Sequence, residues 1–354
     1  MTYNRAMSRF LSSKPTYQAI YYEIETTEGL EFITQQELMP FVQKKVVSDI
    51  HVYKGALQCI CHNPTVLLGL KTAVAVYTHD YYDVPRPKAL LGHQHLSHLL
   101  TTIEFIQNLM PTRGKTFYLS AAGSDSSIMT RLKDEIKLAT SLIEAEHGDI
   151  FLRIRRMGDG WDVLTRLTQR PLATRDWRVC NMQGALNAPL AQAMIWLSRP
   201  TKHDKFLNIA CGSGTLLIER LAYGVVQSAV GCDINPSAIL CATENIAQAG
   251  YQSQIHLIEA DASRLSLVDK SVDVICADLP FGQLVGSHQE NIRLYPLLVR
   301  EIDRILAPNG RAVIITHEIK LMQSILSRYP SIKVEQQHQI VQRGLHPFVY
   351  VLKK

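Results

Sequence analysis

Residues Phe206 to Leu221, FLNIACGSGTLLIERL, run from an apolar stretch into Gly212-Ser213-Gly214 and then directly into an amphipathic one. Glycines there permit a tight turn and let a ligand approach the backbone, and the start of the following helix offers N–H groups with no partner inside the helix. Alone, this G-x-G is equally well a strand-to-helix turn that binds nothing. Three acids add weight. Asp233 closes VGCDIN, 21 residues after Gly212, and suits the two hydroxyls of a ribose. Asp261-Ala262 follows IHLIEA and suits an adenine amino group. Asp278-Leu279-Pro280-Phe281-Gly282 follows VDVICA. Singly, each Asp reads as a helix cap or a solvated loop residue. An acid at the end of each successive strand makes a ligand the better reading.

Other chemistries fit less well. A dinucleotide fingerprint needs a third glycine where Leu217 stands, and no G-x-x-x-x-G-K-[ST] loop occurs. Neither G-x-S-x-G nor H-E-x-x-H is present. No metal is expected: His93-x-His95-x-x-His98 has no cysteine or carboxylate beside it, and reads as polar helix-start residues. Thr316 and Glu318 read the same way. Attack on cytosine C5 would need a cysteine at the position of Phe281, and Cys276 reads as a small buried hydrophobe.

The elements that must hold these groups follow from periodicity. Strands are expected at Lys205–Ile209, Ala229–Cys232, Gln254–Ile258, Val272–Ala277 and Ala312–Ile315, with helices between and a further helix at Gln183–Leu197. This alternation implies a parallel sheet covered on both faces. An antiparallel pair, Ile332–Gln339 with Pro347–Leu352, closes it. Upstream, short β-type runs alternate with amphipathic stretches at Gly29–Val42 and Pro64–Tyr77. A helical stretch, His95–Met110, precedes a strand at Thr116–Ala121 and a helix from Ser126 to Ala145. Two arginine-bearing strands follow, joined through Met157-Gly158-Asp159-Gly160, a hairpin signal. The turn-rich segments His79–Lys88 and Pro171–Asp176 are the expected boundaries. The division is then a tail (1–15), an α+β unit (16–85), a second unit (86–175) and an α/β domain (176–354).

With 354 residues, 46% hydrophobic and 19% charged, the chain is neither disordered nor a solvated coiled coil. No apolar run is long enough to span a membrane and the N-terminus lacks a secretory core, so a soluble, cytoplasmic protein is expected. Its seven cysteines read as reduced thiols. The formal charge of +5 permits an anionic partner without demanding one. Phe151 to Arg178 is locally basic, with seven arginines against three aspartates. Arg153 and Arg155 share one strand face beside Arg156, and Lys133 and Lys137 lie one turn apart on the preceding helix. The five form a candidate RNA-phosphate patch; solvated or salt-bridged surface residues are an equal alternative.

CGSGTLLIE with GCDIN, EADA and ADLPFG resembles the class I S-adenosylmethionine-dependent methyltransferases that modify exocyclic amino groups. GALNAPLAQA before CGSGT, then DLPFG and ENIRLYPLLVREIDRILAPNGRAVIITHE, is similar to the THUMP-containing RNA guanine-N2 methyltransferases. The likeness is dense from Asp162 to Glu318 and thin before it. It implies a Rossmann-like catalytic domain, a ferredoxin-like unit at 16–85, a THUMP-like RNA-binding unit at 86–175, tRNA as substrate and S-adenosylmethionine as methyl donor. Asn208, Cys211, Gly212, Ser213, Gly214, Thr215, Asp233, Ile234, Asp261, Ala262 and Asp278 would hold the cofactor. Asp278 and the Leu279 carbonyl would accept the two N–H groups of the target amine, Pro280 would stiffen the loop, and Phe281 would stack on an extruded base. Two positions depart from the family. Asn208-Ile209 stands where an acid and a proline are usual, and Leu279 stands where many amino-methylases carry a first proline. An adenine-N6 methyltransferase of RNA or DNA, or an inactive RNA-binding protein with the same fold, are the alternatives. No obligate protein partner is evident, and a monomer is sufficient.

Overall fold

The computed structural model describes residues 20–280, 287–342 and 344–354. The first half is built on one eight-stranded sheet. Its strands are β1 (Tyr21–Thr26), β2 (Val47–Tyr53), β3 (Ala56–Cys61), β4 (Ala73–Tyr82), β5 (Thr116–Ala121), β6 (Ile143–Glu144), β7 (Ile150–Met157) and β8 (Gly160–Arg166), in the order β2-β3-β1-β4-β8-β7-β5-β6. Helices α1 (Glu31–Gln43), α2 (His93–Leu109) and α3 (Ser127–Thr140) cover one face. Leu38, Ile103 and Leu132 pack there against Tyr22, Ile24 and Val76. The alternate residues, Glu23, Tyr77, Arg153, Arg155 and Asp162, occupy the other face, as the two-residue strand period requires. The expected hairpin forms between β7 and β8, with Gly158 in the left-handed region (φ +56°).

Pro64–Tyr77, expected as one amphipathic stretch, is a 3-10 turn (Pro64–Gly69) followed by β4. β4 lies between β1 and β8, and a strand covered on both faces reads as a continuous apolar run, which periodicity does not separate from a buried helix. In addition, β4 continues through Tyr82 and pairs with β8, Tyr82 opposite Trp161, so one sheet spans the expected boundary at residue 85.

The second half is α/β. Strands β9 (Lys205–Ile209), β10 (Ser228–Asp233), β11 (Ile255–Glu259), β12 (Val272–Asp278), β13 (Leu306–Thr316), β14 (Lys333–Gln339) and β15 (Phe348–Lys353) form a sheet ordered β11-β10-β9-β12-β13-β15-β14. The first five are parallel, and β15 inserts antiparallel between β13 and β14. Helices α4 (Ala188–Leu197), α5 (Thr215–Tyr223) and α6 (Pro236–Gln248) pack one face, and α7 (His288–Ile305) and α8 (Ile319–Leu326) the other. This is the doubly wound arrangement the alternation implied. α4 begins at Ala188, five residues later than expected, with Pro189 in its first turn.

The halves share a core. Leu30 and Ile33 of the first half are buried among residues of α4–α6. Gly29, at φ +94°, lies so close to the second half that a Cβ there would stand 2.1 Å from the Gln339 carbonyl oxygen. Arg175 crosses the junction, donating to the Lys71 carbonyl at 2.7 Å and to Glu219 at 2.9 Å.

The cysteine expectation is corrected. Cys180 and Cys241 form a disulfide, with Cα atoms 5.4 Å apart, and the other five cysteines are buried thiols. The partners lie 61 residues apart in sequence. They meet because the 178–185 segment folds back over α6, a contact no spacing rule encodes. Among the described residues, no helix is long and apolar enough to cross a membrane, and no cluster of histidine, cysteine or carboxylate residues could hold a metal ion.

Candidate active site

β9 delivers the chain into the loop Ala210–Gly214, and α5 begins at Thr215. Gly212 and Gly214 have φ +52° and +79°, and Ala210 also lies in the left-handed region. Gly214 is needed twice, because a Cβ there would press on the Ala242 Cβ of α6 at 3.3 Å. At Gly212 nothing lies within 4 Å of a would-be Cβ, so that side of the loop is open to a ligand. The loop is pinned to the end of β10: the Gly212 N–H donates to Asp233 Oδ2 at 2.9 Å, and the Cys211 N–H donates to the Cys232 carbonyl.

The missing third glycine is explained by packing. A Cβ on Gly231 of β10 would lie 2.5 Å from Leu217 Cδ1. The glycine that lets helix and strand approach has moved from α5 to the adjacent strand. No one-dimensional fingerprint contains that exchange.

The expected ligand residues collect at the carboxyl ends of β11, β10, β9 and β12, four neighbours in the sheet. Three interstrand steps of about 4.8 Å place Asp261 and Asp278 roughly 14 Å apart, the length of a nucleoside joined to an amino acid. Asp233 is half-buried and each carboxylate oxygen accepts a backbone N–H, from Gly212 and Asn235. Ile234 beside it is exposed, an apolar surface at the rim. Asp261 accepts from the Ser263 N–H and hydroxyl, bonds that hold its carboxyl below the usual carboxylate range. Ala262 is half-buried next to it. Cys211, Ser213 and Thr215 are buried, so their side chains shape the loop and only backbone atoms there can meet a ligand.

Asn208 shows what its departure from an acid accomplishes. It is buried, and its Nδ2 donates to the carbonyls of Ile209 and Cys276, at 3.1 and 3.0 Å, tying β9 to β12. A carboxylate has no proton for either carbonyl. Its Oδ1 is buried without a partner, two residues before the open loop. The cradle and this orphaned acceptor together fit a ligand that brings a cationic N–H donor.

Asp278 closes β12. Burial pushes its carboxyl up to about 7, and among the described residues no hydrogen bond or cation offsets the cost. The chain that follows is anchored on either side of the Leu279 carbonyl. The Leu279 N–H donates to the Ile315 carbonyl at 3.1 Å, and the Pro280 carbonyl accepts from Tyr295 Oη at 2.7 Å and Asn291 Nδ2 at 3.0 Å. Asn291 also donates to Glu318 Oε1, and Glu318 receives His288 Nδ1 at 2.8 Å. Glu318 therefore joins the site rather than merely starting a helix. Asn291 and Tyr295 were not singled out in the sequence. Their signal was available: two polar residues at i,i+4 on the face of NIRLYPLLVREI that is otherwise apolar. Phe281 lies outside the described residues.

The basic residues expected to meet RNA are mostly engaged within the chain. Arg155 spans Glu23 at 2.6 Å and Asp162 at 3.0 Å. Arg153 lies 3.5 Å from Glu25, its guanidinium over the Tyr77 ring. Lys133 pairs with Glu144, and Lys137 with Asp134, each at 2.7 Å. Arg156 is exposed and, among the described residues, reaches the Gly158 carbonyl at 3.4 Å. Further along the basic stretch, Arg175 and Arg178 act as joints, Arg178 reaching the Leu186 carbonyl and the Thr215 hydroxyl. The stretch looks unbalanced in sequence because its counter-charges lie far away, at Glu23, Glu25 and Glu219.

Residues 175–346 match the family described as an RMKL-like methyltransferase domain. The match agrees with the architecture of the second half, which has the Rossmann-like fold of methyltransferases. The human tRNA (guanine(6)-N(2))-methyltransferase THUMP3 is 35% identical over 181 residues, 47% of this chain and 36% of its own length. The chain thus spans little over a third of that relative. The tRNA (guanine(6)-N2)-methyltransferase of Thermus thermophilus is 27% identical over 60% of this chain and 62% of its own. The crystal structure of TrmN from Thermus thermophilus superposes with a TM-score of 0.75 over 95% of this chain and 99% of that one, at 22% identity, a likeness of fold that extends over both halves.

Proposed function

We propose that the protein transfers a methyl group from S-adenosylmethionine to the exocyclic N2 amine of a guanine in tRNA. The observation that carries this reading is the row of Gly212, Asp233, Asp261 and Asp278 along four adjacent strand ends, with a half-buried carboxyl of raised pKa at its far end. The names of the similar methyltransferases support the choice of base and RNA.

Asp261 and Ala262 would receive the adenine, Asp233 the ribose hydroxyls, and the open backbone at Gly212 with Asn208 Oδ1 the amino-acid end. Bound there, the cofactor supplies an activated methyl as electrophile. An exocyclic amine is a weak nucleophile because its lone pair is delocalised into the ring. Ionised Asp278 accepts one of its N–H groups and the Leu279 carbonyl the other, which turns the lone pair out of conjugation. As the N–C bond forms and the methyl–sulfur bond breaks, its electron pair staying on a neutral thioether sulfur, the nitrogen must lose a proton, and a carboxyl near 7 is matched to take it at neutral pH. Held attack geometry accounts for much of the remaining acceleration, on the order of 7–11 kcal/mol.

The first half would present the RNA. Arg156 and Lys137 are the expected residues whose side chains reach outward, and Arg153, Arg155 and Lys133 could meet phosphate only by exchanging a carboxylate partner. Incubation with bulk tRNA and labelled donor, followed by nucleoside mass spectrometry, should yield N2-methylguanosine. N6-methyladenosine, or no labelled nucleoside, would overturn the reading.

A further inference from the structure

Among the described residues, Asp278 has no hydrogen-bond partner that would aim its side chain, and burial is the cause of its raised carboxyl. Its direction is therefore set by the backbone that carries it, and whatever holds that backbone does the aiming. We propose that Asn291 and Tyr295 are positioning residues of the transfer step, acting as a two-point clamp on the Pro280 carbonyl; this rests on the methyltransferase reading above.

The hydrogen-bond directions are forced. A carbonyl only accepts, so Tyr295 spends its one proton on Pro280, and the 2.8 Å contact between Tyr295 Oη and Thr316 Oγ1 must then run from Thr316 to Tyr295. Thr316 Oγ1 in turn accepts the Glu318 N–H at 2.9 Å, which fixes its own rotamer. Asn291 Nδ2 faces two acceptors, Pro280 O and Glu318 Oε1, so its amide cannot be reversed. Its Oδ1 is left buried with no partner. A fold selected for stability alone would place an apolar side chain there, because an orphaned buried acceptor costs free energy. Asn291 and Tyr295 are one turn apart on α7, 1% and 0% exposed, so the clamp is part of a packed helix face. With the Leu279 N–H held on β13 and the Pro280 carbonyl on α7, the peptide that carries the Leu279 carbonyl is fixed on both sides.

Tyr295→Phe keeps the ring and removes the proton; Asn291→Leu keeps the volume and removes the amide. Each should lower kcat by about 10- to 100-fold, the scale set by small misplacements of reacting groups. The KM for tRNA and the calorimetric Kd for S-adenosylmethionine should stay within about twofold, and the kcat profile should keep its midpoint near 7. The Leu279 amide should exchange with solvent faster in both variants. Unchanged kcat in both overturns the proposal, as does a kcat loss matched by losses in melting temperature and cofactor affinity. If the unmodified protein transfers no methyl group, the functional reading fails, and Leu279 exchange decides the clamp alone: faster supports it, unchanged overturns it.

Discussion

Replacing Asp278 with asparagine should separate the carboxyl's contribution to catalysis from its cost to stability. An unfolded aspartate titrates near 3.8, whereas burial holds Asp278 near 7 in the fold. Three pKa units correspond to about 4 kcal/mol, and partial access of the carboxyl to solvent reduces this to roughly 2–4 kcal/mol. The folded-state pKa is raised, so this group's favourable term is fully present below about pH 4 and is lost as pH rises through about 7. Asparagine is neutral throughout and loses nothing. In parallel urea titrations, the stability of Asp278→Asn relative to the parent should therefore climb by roughly 2–4 kcal/mol between about pH 4 and pH 8. The same variant should bind S-adenosylmethionine in a calorimetric titration yet transfer no methyl group, and the parent's kcat should rise about tenfold per pH unit below about 7. A stability difference flat with pH would show that the Asp278 carboxyl is not raised by burial, and retained transfer would remove it from the chemistry.

Other consequences are as direct. Asn208→Asp should cost roughly 3 kcal/mol in a urea melt, because two strand-end carbonyls lose their donor and a carboxylate is buried; equal stability would mean the amide does not tie β9 to β12. Gly214→Ala forces a side chain into φ +79° and against Ala242, so a loss of about 1–2 kcal/mol with weaker cofactor binding is expected. Arg175→Ala strands Glu219, whose carboxyl burial already pushes upward, and should cost about 3–5 kcal/mol; adding Glu219→Gln should restore part of it, and strict additivity in that cycle would rule out the coupling. Reduction of Cys180–Cys241 reopens a 61-residue loop and should lower stability by about 4 kcal/mol on chain-entropy grounds, read as a lower melting temperature with reductant that Cys180→Ser no longer shows.

The glycine loop and the acids after it were legible because their signals are local. Gly212 and Gly214 sit where the backbone needs left-handed angles, and Asp233, Asp261 and Asp278 follow apolar runs short enough to be strands. Alternation of such runs with amphipathic helices leaves little choice beyond a parallel sheet, and parallel strands bring their carboxyl ends together. A strand covered on both faces, as β4 is, carries no such period, so its bounds are not legible in the sequence.

What the tertiary structure alone decided is which distant residues meet. Gly231 makes room for Leu217, Glu23 neutralises Arg155 from 132 residues away, Glu219 receives Arg175, and Cys241 captures Cys180. Asn291 and Tyr295 acquire their purpose only when α7 is laid beside the end of β12. Local propensity fixes the conformation of a segment but not its neighbours. Charge compensation, close packing and the aim of a half-buried carboxyl are properties of neighbours, and the packed fold assigns them.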